Sequence, residues 1–232
     1  ALFVGALTVG KGLQSVIAAW PRVLQQVPDA HLVIVGSGSY REVLEGLVHA
    51  IAAGDAKLLD ALVESGNDLD GTHASGPWLD VEAYLATPAG RAAALGAGPE
   101  FAHHIHFTGR LDHSRLDKLF PCADLAIFPS VLPEAYPLVL MESMASGVLP
   151  AASDLTGLGE VLDLLEPHLG SDVVQRLRLP MDPQVRVAAI AERVAALLAD
   201  DDVRGLTDEL RRIAVAEYDW SVRAAQMTAA YQ

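Results

Sequence analysis

Short runs of consecutive apolar residues recur along the chain, at 2–7, 31–35, 105–108, 125–128 and 149–152. Most are continuous rather than alternating, the pattern of strands covered on both faces. Between them, apolar positions step by three and four. After Gly12, the residues Leu13, Val16, Ile17, Trp20, Leu24 and Val27 fall on one helical face, with Pro21 placed to interrupt it. The same spacing predicts helices at 114–120, 138–145, 184–199, 203–216 and 221–231, with Asp182 and Pro183 as cap and first turn of the helix at 184. Strands alternating with helices predict an α/β fold: a doubly wound, mainly parallel sheet with right-handed crossovers.

Residues 39–104 are too many for one crossover. Helical spacing predicts elements at 40–53, 56–64, 80–85 and 88–95, around a turn-rich acidic loop at 65–78. The stretch reads as a helical insertion at about 41–103 in a single domain over 1–232. His73 and Trp78, in its loop, read either as a partner surface or as ordinary loop residues.

Of the 232 residues, 51% are hydrophobic and 20% charged, which excludes disorder for most of the chain. No apolar run reaches the ~18 residues that span a bilayer, so membrane contact by this domain is not expected. Lys and Arg total 16 against 30 Asp and Glu, a net charge of −14. That excludes a broad electrostatic grip on nucleic acid. A phosphate must then be held locally, by a few basic side chains or by helix N-termini. The single cysteine, Cys122, excludes an internal disulfide framework. It is expected to be buried and inert, and a cytoplasmic location is the default. There is no signal peptide and no initiator Met, so the chain is read as cut from something larger. His103, His104 and His106 cluster, with His104 and His106 on one strand face. They sit at the strand's N-terminal end with no further ligand nearby, so no metal site is expected.

In open parallel sheets, ligands lie beyond the C-terminal ends of the strands. The first run ends in Gly5-Ala6-Leu7 and leads through Gly10-Lys11-Gly12 into a helix. A glycine-rich turn, a lysine and a helix N-terminus suit a diphosphate. The second ends in Gly36-Ser37-Gly38-Ser39-Tyr40-Arg41, where Arg41 replaces the third glycine of a dinucleotide fingerprint. A close approach of ligand or backbone is the better reading there. The fourth run is followed by PSVLPEAYPLVLME at 129–142. Glu134 lies just before a helix and Glu142 two turns inside it. One carboxylate can accept from sugar hydroxyls and the other from a ribose diol; equally, Glu134 is a first-turn acid and Glu142 a solvated face.

The ordered set FVGALTVGKG, PDAHLVIVGSG, IHFTGRLDHSRLDKLFPCADLAIFPS, PEAYPLVLMESMASGVLPAASDLTGLGEVL and EYDWSVRAAQMTAAYQ resembles the C-terminal, donor-binding domain of retaining glycosyltransferases of the GT-B fold, family 4 in particular. The resemblance spans nearly the whole chain except about 41–100 and a divergent stretch near 165–182. It implies a Rossmann-like half of a GT-B fold. The parent reaction moves a hexosyl unit from a UDP-, GDP- or ADP-sugar to a hydroxyl acceptor with retention and without a metal or other cofactor. It implies that Glu134 holds the transferred sugar and Lys11 neutralises the departing diphosphate. Backbone N–H groups of Ala135, Tyr136, Leu138 and Val139 would line sugar and diphosphate. Glu142 would hold the ribose, Gly5 would admit the backbone, Arg110 would meet the base, and Glu160 would take the family's second acidic position near the donor.

The family's arginine after the first glycine is Ala6 here, which leaves Arg41 or Arg110 to compensate. The acceptor pocket belongs to an N-terminal domain absent from the chain. The isolated domain is therefore expected to bind nucleotide and to be largely inactive. The rival readings are a non-catalytic GT-B-like scaffold or regulatory module, and an epimerase-like user of sugar nucleotides.

Overall fold

The computed structural model describes residues 1–71 and 75–231, so His73 lies outside the described residues. Six strands form one parallel sheet: β1 (Leu2–Val4), β2 (Leu32–Val35), β3 (Ile105–Gly109), β4 (Leu125–Phe128), β5 (Leu149–Ser153) and β6 (Arg178–Leu179). Their spatial order is β3-β2-β1-β4-β5-β6. The chain winds outward from β1 in one direction and then resumes at β4 in the other. The switch point lies between β1 and β4, which pair in parallel through Leu2 and Ala126.

Burial follows strand position. β4 and β5 are buried at every residue, whereas β3, at one edge, alternates and turns His106 and Thr108 outward. Pro150 lies inside β5, where a missing N–H would ordinarily break a ladder. It is tolerated because β6 pairs only with Ala152 and Ser153, which leaves Pro150 on a locally free edge. The predicted first strand is shorter than expected, ending at Val4. The backbone still pairs beyond it, with Gly5 N donating to Val35 O at 3.0 Å and Leu7 N to Ser37 O at 3.1 Å.

Helix α1 (Leu13–Gln26) runs unbroken through Pro21 and is buried on nearly all sides, Gln14 and Ser15 included. The helix Arg186–Leu198 packs along it, and the insertion adds to the cover. After α2 (Arg41–Ala53) come α3 (Ala56–Ser65), α4 (Leu79–Leu85) and α5 (Pro88–Leu95), and the last two pack onto α1. The predicted insertion helices agree to within one residue. Trp78 is not a surface residue, however. It is 2% exposed and donates its indole N–H to Tyr40 Oη at 2.7 Å, and Tyr40 donates to Gly66 O at 2.5 Å. Burial pushes the Tyr40 phenol above its ordinary range, so the hydroxyl stays protonated and able to donate.

On the other half, α6 (His113–Leu119), α7 (Leu138–Ala145), α8 (Thr156–Leu169), α9 (Ser171–Leu177), α10 (Arg186–Leu198), α11 (Asp201–Arg204), α12 (Thr207–Tyr218) and α13 (Trp220–Ala230) complete the fold. Sequence spacing missed α8, α9 and β6; α8 carries two glycines and Pro167 inside it. Cys122 is exposed rather than buried. It ends the 3-10 turn Phe120–Cys122, which carries it off the apolar face. His104 closes the 3-10 turn Pro99–His104 rather than sharing a strand with His106. Even so, its ring stacks on His31 at 4.9 Å, and His31 Nδ1 lies 3.0 Å from His106 Nε2.

Tyr40→Phe leaves the Trp78 N–H and the Gly66 carbonyl buried without partners. It is expected to cost about 1–3 kcal/mol in urea unfolding; an unchanged midpoint would show that the insertion is anchored elsewhere. His106 is held below its ordinary value by burial first, then by the neighbouring His31 and His104. The fold therefore favours its neutral ring, and the unfolded chain binds more protons below about pH 6.5. Stability is expected to be full above that pH and to fall as pH drops through the window. Urea midpoints at neutral and acid pH should show this slope, and His106→Gln should flatten it.

Candidate functional site

The loops after β1 and β4 meet at the switch point. After β1, the chain turns through a 3-10 segment, Val9–Lys11, and Gly12 both ends that turn and starts α1. Gly12 sits at φ +71°, and a Cβ there would stand 1.9 Å from Pro129 O. Only glycine allows this approach. Alongside it, Val131 N donates to Gly10 O at 2.9 Å. These backbone contacts bring Lys11 Nζ to 2.8 Å from Glu134 Oε1, and Ser130 Oγ donates to the same oxygen. The Lys11 and Glu134 side chains keep 31% and 24% of their surface exposed, so a ligand can reach both.

A cavity of about 180 Å³ opens over this pair, lined by Gly5, Lys11, Ser130, Glu134, Tyr136, Leu138 and Val139 among others. A second, of about 270 Å³, adjoins it at Val4 and Gly5 and is lined by Ala6, Gly36, Ser37 and Arg110. Six of the expected residues thus surround one cavity, and Arg110 lies in its neighbour. Glu142 borders a third cavity of about 260 Å³ with Met141, Tyr218 and Trp220; that cavity shares Tyr136 and Leu138 with the first. Of the amides expected to line the site, that of Leu138 is already bound, to Tyr136 O at 3.0 Å. Ala135 lines none of the three cavities; its carbonyl faces Gly157 instead. Glu160 is exposed on the second turn of α8 and lines none of the three.

Of the two arginines that were to compensate for Ala6, Arg41 is committed elsewhere. Its Nε pairs with Glu45 at 2.8 Å, and its guanidinium lies 5.6 Å from the centre of the Phe107 ring. Arg110 is exposed at the second cavity. The Gly36-Ser37-Gly38 turn serves backbone approach: a Cβ at Gly36 would meet Gly5 O at 1.8 Å, and one at Gly38 would meet Leu7 O at 2.1 Å. The divergent stretch does not wall the Lys11–Glu134 cavity. Met181 and Pro183 instead help close a separate one of about 260 Å³ with Trp78 and Asp80 of the insertion.

Three contributors escaped sequence reasoning. Ser130 and Thr156 lie inside motifs quoted above, but nothing in spacing alone singles out a hydroxyl. The third is Arg186, 1% exposed, whose Nη2 donates to Pro129 O at 2.6 Å and to Ser153 Oγ at 3.0 Å. Its Nε lies 3.3 Å from Asp80 Oδ2, and Ser15 Oγ donates to that oxygen at 2.5 Å. Burial lowers the Arg186 pKa below its ordinary range, opposed by the charge of Asp80. Among the described residues, no group of three His, Cys, Asp or Glu side chains is placed to hold a metal ion. No helix among them is long and apolar enough to cross a membrane.

Sheet order and cavities at the switch point define a doubly wound α/β domain of Rossmann-like type. The chain belongs to the family described as "Glycosyl transferases group 1", which matches residues 1–56 and 97–214. The unmatched 57–96 falls inside the expected insertion and is narrower than it, since α2 lies wholly in the matched part. The chain is 29% identical over 224 residues to a phosphatidyl-myo-inositol mannosyltransferase of Mycobacterium tuberculosis, covering 96% of this chain and 43% of that protein. It is 32% identical over 157 residues to an MMP alpha-(1->4)-mannosyltransferase of Mycolicibacterium hassiacum, covering 66% of this chain and 36% of the relative. It thus spans less than half the length of these relatives. Among solved structures, a glycosyltransferase from Rickettsia africae superposes with TM-score 0.59 at 14% identity, covering 99% of this chain and 46% of the other. The GT-B glycosyltransferase half expected from the motifs is the family and fold found.

Gly12→Ala combines a left-handed backbone with a clash against Pro129 O. It is expected to lower stability by at least about 2 kcal/mol, roughly 4–8 °C in Tm for a domain of this size. Calorimetry on the variant checks this; a native-like Tm would mean that the Gly12–Pro129 contact is dispensable.

Proposed function

We propose that this chain is the donor-binding domain of a retaining, metal-independent family 4 hexosyltransferase that uses a nucleotide diphosphate sugar. The observation that carries the reading is the Lys11–Glu134 pair in the cavity at the β1–β4 switch point. The cavity offers one cation and one carboxylate side by side, as a sugar diphosphate requires. Lys11 turns to the diphosphate and compensates the negative charge that grows on it as the anomeric C–O bond breaks. Glu134, released from Lys11, accepts hydrogen bonds from sugar hydroxyls. The acceptor hydroxyl oxygen forms the new bond to the anomeric carbon on the face the diphosphate leaves, and its proton passes to the diphosphate. Arg110 stands where it can serve the base or stand in for the cation missing at Ala6. Glu142, beyond Tyr136 and Leu138, is assigned to the ribose. The mannosyl relatives make mannose the first sugar to test, carried in turn on GDP, UDP and ADP.

The ion pair also bears on product release. Once the sugar is gone, a bound nucleoside diphosphate holds Lys11 while Glu134 keeps only Ser130. Re-forming Lys11–Glu134 then favours departure of the diphosphate.

Lys11→Ala is expected to weaken nucleotide binding by about tenfold or more without unfolding the domain, as is Glu142→Ala. Ligand-observed NMR with UDP, GDP and ADP checks both. A folded Lys11→Ala protein with unchanged affinity would remove the phosphate role. In the full-length protein, Glu134→Gln is expected to lower transfer by roughly a hundredfold while leaving nucleoside diphosphate affinity within about threefold. Equal loss of both would place Glu134 in general donor binding instead.

A further inference from the structure

We propose that Thr156 is a positioning residue for Glu134, acting as a clamp on the acid's own backbone; this rests on the donor-site reading above. Thr156 opens α8, and its φ is +43°, the one positive value at a non-glycine residue among those described. A β-branched side chain is a poor occupant of the left-handed region. Strain of this kind persists only where the surroundings impose it, and it collects at functional positions.

The surroundings here do impose it. Asp154, two residues earlier, donates its N–H to Leu179 O at 3.0 Å, and its carboxylate accepts from Arg178 Nη1 at 2.6 Å. The Nη2 of Arg178 donates to Asp163 of α8. The turn is thus tied to β6 before Thr156 and to the body of α8 after it. In that strained conformation the Thr156 hydroxyl makes two bonds to one residue. It accepts from Glu134 N at 3.0 Å and donates to Glu134 O at 3.1 Å. Gly157 N adds a third bond, to Glu134 O at 2.9 Å. The approach is close enough that a Cβ at Gly157 would stand 2.6 Å from Glu134 O and 2.8 Å from Ala135 O.

Glu134 lies in an exposed stretch outside regular secondary structure, before α7. Its side chain is fixed through Lys11 and Ser130 on one side, and its backbone through Thr156 and Gly157 on the other. When a donor draws Lys11 away, the backbone clamp remains. Thr156 then keeps the freed carboxylate at the sugar, while the nucleotide, held elsewhere, does not depend on it.

The test compares Thr156→Ser, Thr156→Val and Thr156→Gly. Serine keeps the hydroxyl, valine keeps the shape without it, and glycine relaxes the backbone and removes it. Hydrogen exchange at the Glu134 amide, read by NMR, is expected to stay within about threefold of the parent in Ser and to rise at least about tenfold in Val and Gly. In the full-length protein, hexosyl transfer from its NDP-hexose is expected to fall by about ten- to a hundredfold in Gly and Val and to be retained in Ser, with nucleoside diphosphate Kd within about twofold throughout. A Thr156→Gly protein that transfers at the parent rate, or that keeps its Glu134 amide protected, overturns the proposal. So does a fall in Tm with transfer intact, which marks a purely structural residue. Exchange needs no activity. If the parent protein binds and transfers no NDP-hexose, the donor-site reading fails, and the exchange result still decides whether the clamp exists.

Discussion

The contact on which the site depends is between two backbones. Gly12, at the entry to α1, lies so close to Pro129 O that no side chain fits between them. Val131 N closes the same seam onto Gly10 O. Because β1 and β4 are neighbours at the reversal of the sheet, their following loops leave in opposite directions and open a crevice. The seam narrows that crevice until a lysine from one loop and a glutamate from the other share a hydrogen bond, although 123 residues separate them.

Behind the seam stands a buried arginine. Arg186 reaches the carbonyls of Pro129 and Pro180 and the hydroxyl of Ser153, groups at the C-terminal ends of β4, β6 and β5. A guanidinium this deep requires a counter-charge. Asp80 supplies it from 57–96, the part of the insertion that the family does not match. The insertion is therefore more than a surface decoration. Its helices α4 and α5 cover α1, Trp78 ties its loop to Tyr40, and Asp80 neutralises the cation that supports the site loop from beneath.

The electrostatics are consistent with local rather than global recognition. A net charge of −14 repels a polyanion at long range. In the proposed role, Lys11, already engaged by Glu134, exchanges one anion for another within a cavity of about 180 Å³. Keeping Lys11 paired with Glu134 in the free protein avoids an uncompensated carboxylate in a partly buried site.

Much of this was legible in the chain. Continuous apolar runs marked β2, β4 and β5, because strands covered on both faces admit no polar alternation. Three-and-four spacing marked α1 and the insertion helices, and the glycine-lysine-glycine turn and the loop carrying Glu134 marked both halves of the crevice. These are local properties, set within a few residues by side-chain hydrophobicity and backbone freedom. Tertiary structure alone decided the rest. Trp78 and Cys122 exchanged their expected places, since burial depends on what packs opposite rather than on the residue's own neighbours. Helix α8 formed through two glycines and Pro167 because β5 and α9 cover it. Glu142 faced a different cavity from Glu134 because helix phase and the Tyr136 side chain stand between them. The hydroxyls of Ser130 and Thr156 gained their roles only when loops distant in sequence met. Spacing along a chain carries no record of such meetings, because they are fixed by the order of strands in the sheet and by the closeness of backbones that only glycine permits.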